Sequence, residues 1–168
     1  MKSIILSITI LSSIIFSKNI VSLESSFGYQ SEKTPLNLYN ASLLFNLNEH
    51  HEIFSGFGTI IFGGSLFVGY KYYINNFSKP SPYASISIHS GSYFDSGSVL
   101  EGISPSVGYS IQILEKTEKT AEIFHQLRPF KKIILNFGVS YVFILKNTMR
   151  DFEGKNTLIS PFLNFSLR

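Results

Sequence analysis

The stretch ISPSVGYSIQI, residues 103–113, alternates between two kinds of side chain. The first set is mostly large and apolar: Ile103, Pro105, Val107, Tyr109, Ile111 and Ile113. The second set is small or polar: Ser104, Ser106, Gly108, Ser110 and Gln112. Because successive side chains of an extended strand point to opposite faces, this stretch predicts a β-strand with one apolar face and one polar face.

Comparable segments occur along the rest of the chain. They cover residues 21–29, 39–48, 52–62, 65–75, 81–91, 132–144 and 158–168. In residues 52–62, EIFSGFGTIIF, apolar residues occupy both sets of alternate positions, so the register of this strand stays open. Turn-forming sequences such as NNFSKP and RDFEGKN separate the segments. Eight consecutive strands with short connections predict an all-β fold, an antiparallel up-and-down barrel, because closure removes exposed strand edges.

The composition indicates that much of the surface does not face water. Charged residues make up 15% of the chain, against about 25% in a typical soluble domain. Small side chains suit the interior of a narrow barrel, whereas Ile, Val, Leu, Phe and Tyr suit a band in contact with lipid. We therefore expect the apolar set to face lipid and the polar set to fill the lumen of a transmembrane β-barrel, with strands about 9 to 11 residues long.

Several function classes are excluded or disfavoured by the same composition. The formal net charge is only +3, and the chain has no basic run and no glycine-rich phosphate loop, so we expect no nucleic-acid partner. The absence of cysteine excludes disulfides, thiolate zinc sites and cysteine nucleophiles. His50 and His51 lie in a short turn without a further ligand at a fitting spacing, so we expect no metal and no cofactor.

The N-terminus resembles a secretory signal. Met1 and Lys2 precede an uncharged, mostly apolar run from Ile4 to Phe16, which is shorter than the roughly 20 residues of a membrane-spanning helix. We expect a signal peptide over residues 1–19, with cleavage between 17 and 22, and a barrel over residues 20–168. The alternative is a buried N-terminal strand or helix.

From about residue 20 to residue 168 the chain resembles small eight-stranded outer-membrane barrels of the OmpA transmembrane-domain, OmpX and OmpW type. The secretory start, the alternation in SPYASISIHSG and ISPSVGYSIQI and the closing LISPFLNFSLR carry the resemblance. It implies location in a bacterial outer membrane, contact with membrane lipid, and the barrel-assembly machinery as a partner during insertion. Such barrels commonly end in an aromatic residue, whereas this chain ends in Leu167 and Arg168, with Phe165 on the apolar set.

The resemblance also implies a topology. With the N-terminus in the periplasm, connections near residues 31–36, 63–64, 92–100 and 146–156 face outward, and those near 48–51, 76–80 and 115–129 face the periplasm. The last connection is long for a periplasmic turn. It is interpreted as a charged turn with one or two helical turns, or else as a docking element for a periplasmic partner.

Four charged residues of the polar set, Glu24, Lys71, Lys132 and Arg168, are predicted to share the lumen with His89. Since unpaired buried charges are costly, we expect a structural ion-pair and hydrogen-bond network that fills the pore. The alternative is a gate, in which Glu24 exchanges basic partners. Eight strands leave room mainly for side chains, so a wide channel is not expected.

His89 also suggests an enzyme. Lipid A deacylases are small outer-membrane barrels with a His-x-Ser pair, but here the sequence is His89-Ser90-Gly91, and Ser87 is the serine on the same face as His89. Ser87 and His89 are therefore weak catalytic candidates for an acyl hydrolase.

The leading hypothesis is a non-enzymatic envelope protein with a structural or surface-interaction role or a role in the passage of small apolar molecules. A lipid-modifying acyl hydrolase, a soluble secreted carrier of a hydrophobic ligand and a subunit docked through residues 115–129 remain alternatives.

Overall fold

The computed structural model describes residues 21–29, 38–60, 63–76, 79–93, 98–117, 120, 130–148 and 156–168. These residues form eight strands: β1 (Val21–Tyr29), β2 (Tyr39–Asn46), β3 (His51–Ile60), β4 (Gly63–Tyr73), β5 (Ser81–Tyr93), β6 (Val99–Glu115), β7 (Lys132–Asn147) and β8 (Thr157–Leu167). Among the described residues, no helix is long and apolar enough to cross a membrane. The predicted signal peptide, residues 1–19, lies outside the described residues.

The strands form one closed barrel in sequence order, and each strand is antiparallel to its neighbours. Strand β8 pairs with β1 from Leu163 opposite Tyr29 to Leu167 opposite Ser25, which closes the sheet. The predicted eight-stranded up-and-down barrel is confirmed.

Because the strands run up and down in order, the connections fall into two groups. One end, which we call the terminal end, carries the start of β1 and the last residue of β8. It also carries the β2–β3, β4–β5 and β6–β7 connections. The other end, the loop end, carries the remaining four connections. One predicted turn was misplaced: residues 63 and 64 belong to β4 and pair with Ile60 and Thr59, so the β3–β4 connection lies at 61–62.

The polar face of each strand points into the barrel, and the apolar face points outward. The interior buries many polar side chains: Glu24, Ser26, Asn40, Ser42, Glu52, Lys71, Ser81, Ser85, Ser87, His89, Ser104, Ser106, Ser110, Asn136, Ser140, Ser160, Asn164 and Ser166. The outer surface exposes large apolar side chains on every strand, for example Phe27, Leu43, Phe57, Leu66, Ile88, Val107, Phe143 and Ile159. This distribution is the reverse of that in a water-soluble domain, in which apolar side chains fill the core.

Strand β3 adopts the register that the sequence left open. Leu44 of β2 pairs with Phe54, and Asn46 pairs with Glu52, so Phe54 and Glu52 point inward. Ile53 and Phe57 point outward and are exposed. The strand lacked clear alternation because a large aromatic residue, Phe54, occupies an interior position.

The interior is less polar than the alternation predicted. Two groups of large side chains lie inside it: Leu44, Phe54 and Phe67 in one, and Tyr73, Tyr83 and Phe162 in the other. Ile134 and Val142 of β7 are also buried. Eight strands enclose only enough space for side chains, so these residues fill the barrel and leave no wide pore.

Interior glycines make room for the aromatic side chains. A Cβ atom added at Gly138 would lie 2.7 Å from Cζ of Phe162, and one added at Gly69 would lie 2.4 Å from Cζ of Phe54. The same Cβ atoms would lie 2.2 Å from the backbone oxygen of Val107 and 2.5 Å from that of Ile86, respectively. Atoms at these separations overlap, so a side chain at either position would displace both the ring and the neighbouring strand. Large and small residues on different strands therefore complement one another across the interior.

Candidate functional site

The best-defined polar site in the barrel interior lies at the terminal end and is built around Arg168. Leu167 pairs with Ser25 of β1, which brings the next residue, Arg168, beside Glu24. The backbone of Arg168 is held on the other side by Lys132 of β7, whose carbonyl oxygen accepts from Arg168 N at 2.9 Å. The backbone of Arg168 is thereby fixed between β1 and β7, and its side chain points into the barrel.

Arg168 bonds two carboxylates on different strands. Its Nε donates to Oε2 of Glu24 at 2.6 Å, and its Nη1 donates to Oε2 of Glu52 at 2.8 Å. Its Nη2 also donates to Oε1 of Glu52 at 3.3 Å. The guanidinium therefore makes a bidentate contact with Glu52 through two nitrogens, and its third nitrogen binds Glu24. One side chain thus connects the end of β8 with β1 and β3.

The second cation of the site, Lys71, lies between aromatic rings. Lys71 pairs in register with Glu52, and its Nζ lies 4.3 Å from the ring centre of Tyr83 and 5.7 Å from that of Tyr73. Cation–π attraction stabilises an ammonium in such a position, most strongly where water is excluded. Tyr73 also accepts a hydrogen bond at its hydroxyl oxygen from Arg168 Nη2 at 3.3 Å.

We call Glu24, Glu52, Lys71, Tyr73 and Arg168 the interior charge cluster. Glu52 and Lys71 are 0% exposed and Glu24 is 1% exposed. The two carboxylates balance the two cations, so the cluster adds no net charge to the interior. A buried charge costs several kcal/mol unless it is paired, and here the four charges are brought together within one closed space.

Two residues of the predicted lumen network lie elsewhere. Lys132 pairs through Nζ with Oε1 of Glu115 at 3.3 Å, at the last residue pair of β6 and β7, and both side chains are partly exposed. His89 lies on β5 opposite Phe67 of β4 and Gly102 of β6. The structure therefore brings together Glu24, Lys71 and Arg168 from the predicted set and adds Glu52 and Tyr73.

The weak catalytic candidates Ser87 and His89 both point into the barrel and are buried. His89 Nδ1 lies 3.4 Å from the hydroxyl oxygen of Ser104, at the long limit for a hydrogen bond. Its Nε2 has no hydrogen-bond partner in the described part of the chain. Nucleophilic catalysis needs a serine bonded to its base and reachable by substrate. This arrangement suits packing inside the barrel better than ester hydrolysis.

Hydrogen bonds between small polar side chains fill the rest of the interior on the β6–β8 side. The hydroxyls of Ser106 and Ser140 lie 2.7 Å apart across β6 and β7. Asn136 Nδ2 donates to Ser166 at 2.9 Å and to Asn164 at 3.3 Å. These contacts pair the Asn136 amide nitrogen and the serine hydroxyls and join the strands across the interior. The Asn136 side-chain oxygen has no hydrogen-bond partner among the described residues.

Other predicted sites are only partly described. Within the described ranges, no group of three or more histidine, aspartate or glutamate residues is arranged to hold a metal ion. Most of the predicted docking segment, residues 115–129, lies outside the described residues. Its beginning forms a turn in which Thr120 Oγ1 donates to the carbonyl oxygen of Glu115 at 2.7 Å.

Glu52 was missed because its strand gave no clear alternation. A usable signal was nevertheless present: Gly56 and Gly58 are two residues apart, and interior positions of the other strands carry small residues at that spacing. Counting back from these glycines by twos reaches Phe54 and then Glu52. Tyr73 lies two residues after Lys71 and therefore shares its face of β4, but nothing in the sequence indicated that its hydroxyl would meet the guanidinium of Arg168.

The chain was compared with protein-family models, with curated proteins and with solved structures, and none of the three comparisons finds a match. The geometry of the barrel and its interior charge cluster therefore carries the functional argument.

Proposed function

We propose that this protein is a small integral barrel of a bacterial outer membrane, with a sealed interior and a structural or surface-interaction role that involves no catalysis. One observation carries the proposal: the barrel exposes large apolar side chains on every strand and buries polar ones, including Glu24, Glu52 and Lys71, in its interior. In water, such an outer surface would aggregate, whereas in a bilayer it is the stable arrangement.

The outer surface is also almost free of charge. On the outward-facing positions of β1 to β5 and of β8, the described side chains include no Asp, Glu, Lys or Arg. On β7, Lys146 is exposed near the loop end, opposite Glu101 of β6. On β6, Glu101 lies beside a bulge near the loop end and Glu115 is the last residue of the strand. The apolar band between the two ends matches what a hydrocarbon layer requires.

A carrier of a hydrophobic ligand would need the opposite arrangement. Its apolar side chains would line the interior and its polar side chains would face water. Here Lys71, Glu52 and the serines occupy the interior, so the space that a ligand would enter is polar, charged and filled. This observation favours the membrane protein over the soluble carrier.

A sealed interior is supported by two obstructions. The interior charge cluster occupies the terminal end. Leu44, Phe54 and Phe67 pack together next to it, on the side toward the loop end. The rings of Phe54 and Phe67 lie 6.2 Å apart. Passage of a solute would require both the ion pairs and this apolar group to move, so we do not assign the interior a transport role.

The proposal is tested by fractionating cells that express the full chain and by comparing unheated and boiled samples of the detergent extract on a gel. We expect the protein in the outer-membrane fraction, with a band that shifts on boiling because the closed barrel resists detergent until heated. A protein that stays in the supernatant without detergent would overturn the proposal and favour the secreted carrier.

A further inference from the structure

An apolar groove runs along the outer surface of the barrel over β3 to β6. Its volume is about 360 Å³, roughly that of a dozen water molecules in the liquid. The side chains that line it are Ile53, Val68, Tyr70, Ile86, Ile88 and Ile103. An occupant without polar groups, such as a hydrocarbon chain, suits this lining.

The groove has a polar cap at its terminal end. Tyr70, which lines the groove, bonds His51 Nδ1 through its hydroxyl. The ring of His51 lies 5.0 Å from that of Tyr72, and His50 Nδ1 lies 2.9 Å from the backbone oxygen of Tyr73. Tyrosine and histidine with an apolar body and a polar tip are suited to the boundary between hydrocarbon and water.

Opposite charges lie in the two turns next to this cap. Glu49, in the β2–β3 turn, accepts a hydrogen bond from Asn76 Nδ2 at 2.8 Å, which joins that turn to the β4–β5 turn. Lys79, in the β4–β5 turn, is exposed, and its backbone N donates to the carbonyl oxygen of Asn76 at 2.9 Å. One carboxylate and one ammonium thus lie on two turns that are bonded to each other.

A ligand that matches these features is an amphiphile with a hydrocarbon chain and a head group that carries both a positive and a negative charge. We propose that the groove binds one acyl chain of a phosphatidylethanolamine molecule, with the head group over the His50–His51 turn. The phosphate lies near Lys79 and the imidazoles, and the ammonium lies near Glu49. This inference rests on the proposed membrane location, and it assigns the site to the leaflet at the terminal end.

The test uses the full chain in detergent, titrated with dioleoyl phosphatidylethanolamine and followed by native mass spectrometry. In Ile86→Trp the larger ring fills the groove, and Leu163→Trp on β8 is the control, since Ile86 and Leu163 are both 48% exposed. Displacing two methylenes at about 0.8 kcal/mol each weakens binding on the order of tenfold for Ile86→Trp. Leu163→Trp should bind like the parent protein.

The head group is tested separately. Lys79→Gln should weaken binding by about two- to fivefold, as loss of one exposed ion pair does. The parent protein should prefer phosphatidylethanolamine to phosphatidylglycerol, which has no ammonium, and Glu49→Gln should reduce that preference.

The outcomes separate this inference from the proposed function. A chain that needs no detergent overturns both. A chain that inserts and shifts on boiling, but whose Ile86→Trp and Leu163→Trp variants bind the lipid equally, overturns the lipid site alone. If Ile86→Trp shows no shift on boiling, Ile103→Trp on the other side of the groove takes its place, with the same expected loss.

Discussion

At the scale of single residues, Arg168 connects several strands across the barrel interior. Its side chain bonds Glu24, Glu52 and Tyr73, and its backbone pairs with Lys132. If the guanidinium is removed, the buried carboxylates of Glu24 and Glu52 each lose an ion-pair partner. An uncompensated buried charge is among the most destabilising changes that a single substitution can cause.

We therefore expect Arg168→Ala to lower the free energy of unfolding by about 3–5 kcal/mol. The measurement is urea unfolding in lipid vesicles, followed by the fraction of barrel that keeps its unheated gel mobility. Combining Arg168→Ala with Glu52→Gln should restore part of the loss, because the double variant again has equal numbers of buried carboxylates and cations. If the single variant unfolds like the parent protein, the cluster does not stabilise the barrel.

At the scale of strands, interior packing depends on glycines that face aromatic rings. Gly138 of β7 lies against Phe162 of β8, and Gly69 of β4 lies against Phe54 of β3. Neighbouring positions on the same strands point outward and carry large apolar side chains, such as Val139 and Val68. A large side chain therefore fits on the outward face of each strand but not at the glycine on its interior face.

This difference predicts opposite outcomes for adjacent positions on β7. Gly138→Val should destabilise the barrel by about 1–3 kcal/mol. Its Cβ would lie 2.2 Å from the backbone oxygen of Val107 on β6 and 2.7 Å from Cζ of Phe162, so both the neighbouring strand and the ring would have to move. Val139→Ile, which adds a methylene to the outer surface, should change stability by less than about 0.5 kcal/mol. Parallel urea titrations of the two variants provide the comparison, and equal stabilities would contradict the observed packing of Gly138 against Phe162.

At the scale of the whole molecule, the apolar outer surface distinguishes a membrane barrel from a soluble one. Val107 of β6 and Leu145 of β7 are equally accessible, at 65% and 66%. Val107 lies midway along its strand, whereas Leu145 lies two residues from the loop-end terminus of β7. In water, an arginine at either exposed position has little effect, whereas in a bilayer the cost depends on depth.

We expect Val107→Arg to destabilise the inserted barrel by about 2–4 kcal/mol and Leu145→Arg by about 0–1 kcal/mol. Unfolding of both variants from vesicles of the same lipid measures the difference. Equal, near-zero effects at both positions would indicate that Val107 does not contact hydrocarbon and would count against the proposed membrane location.

How much of the fold could be predicted from the sequence depends on how far apart in the chain the interacting residues lie. Alternation along a strand is a property of two or three successive residues, so the eight strands, their antiparallel order and the face of most side chains could be predicted locally. The alternation was least clear where an interior position carries a large apolar residue, as at Phe54 of β3. There the volume available inside the closed barrel decides which side chain fits, and no local pattern records that volume.

The partners within the interior were determined by the tertiary structure alone. Alternation placed Glu24 and Arg168 on interior positions, but Arg168 meets Glu52, which is 116 residues away in the chain, only after β8 has closed onto β1 and its side chain spans the interior to β3. Lys132, which alternation also placed on the polar set, pairs with Glu115, the residue opposite it in the β6–β7 register. The sequence by itself determined the strands and their two faces, because these depend on neighbouring residues. Closure of the barrel decided which charges meet, because that depends on the curvature and stagger of the whole sheet.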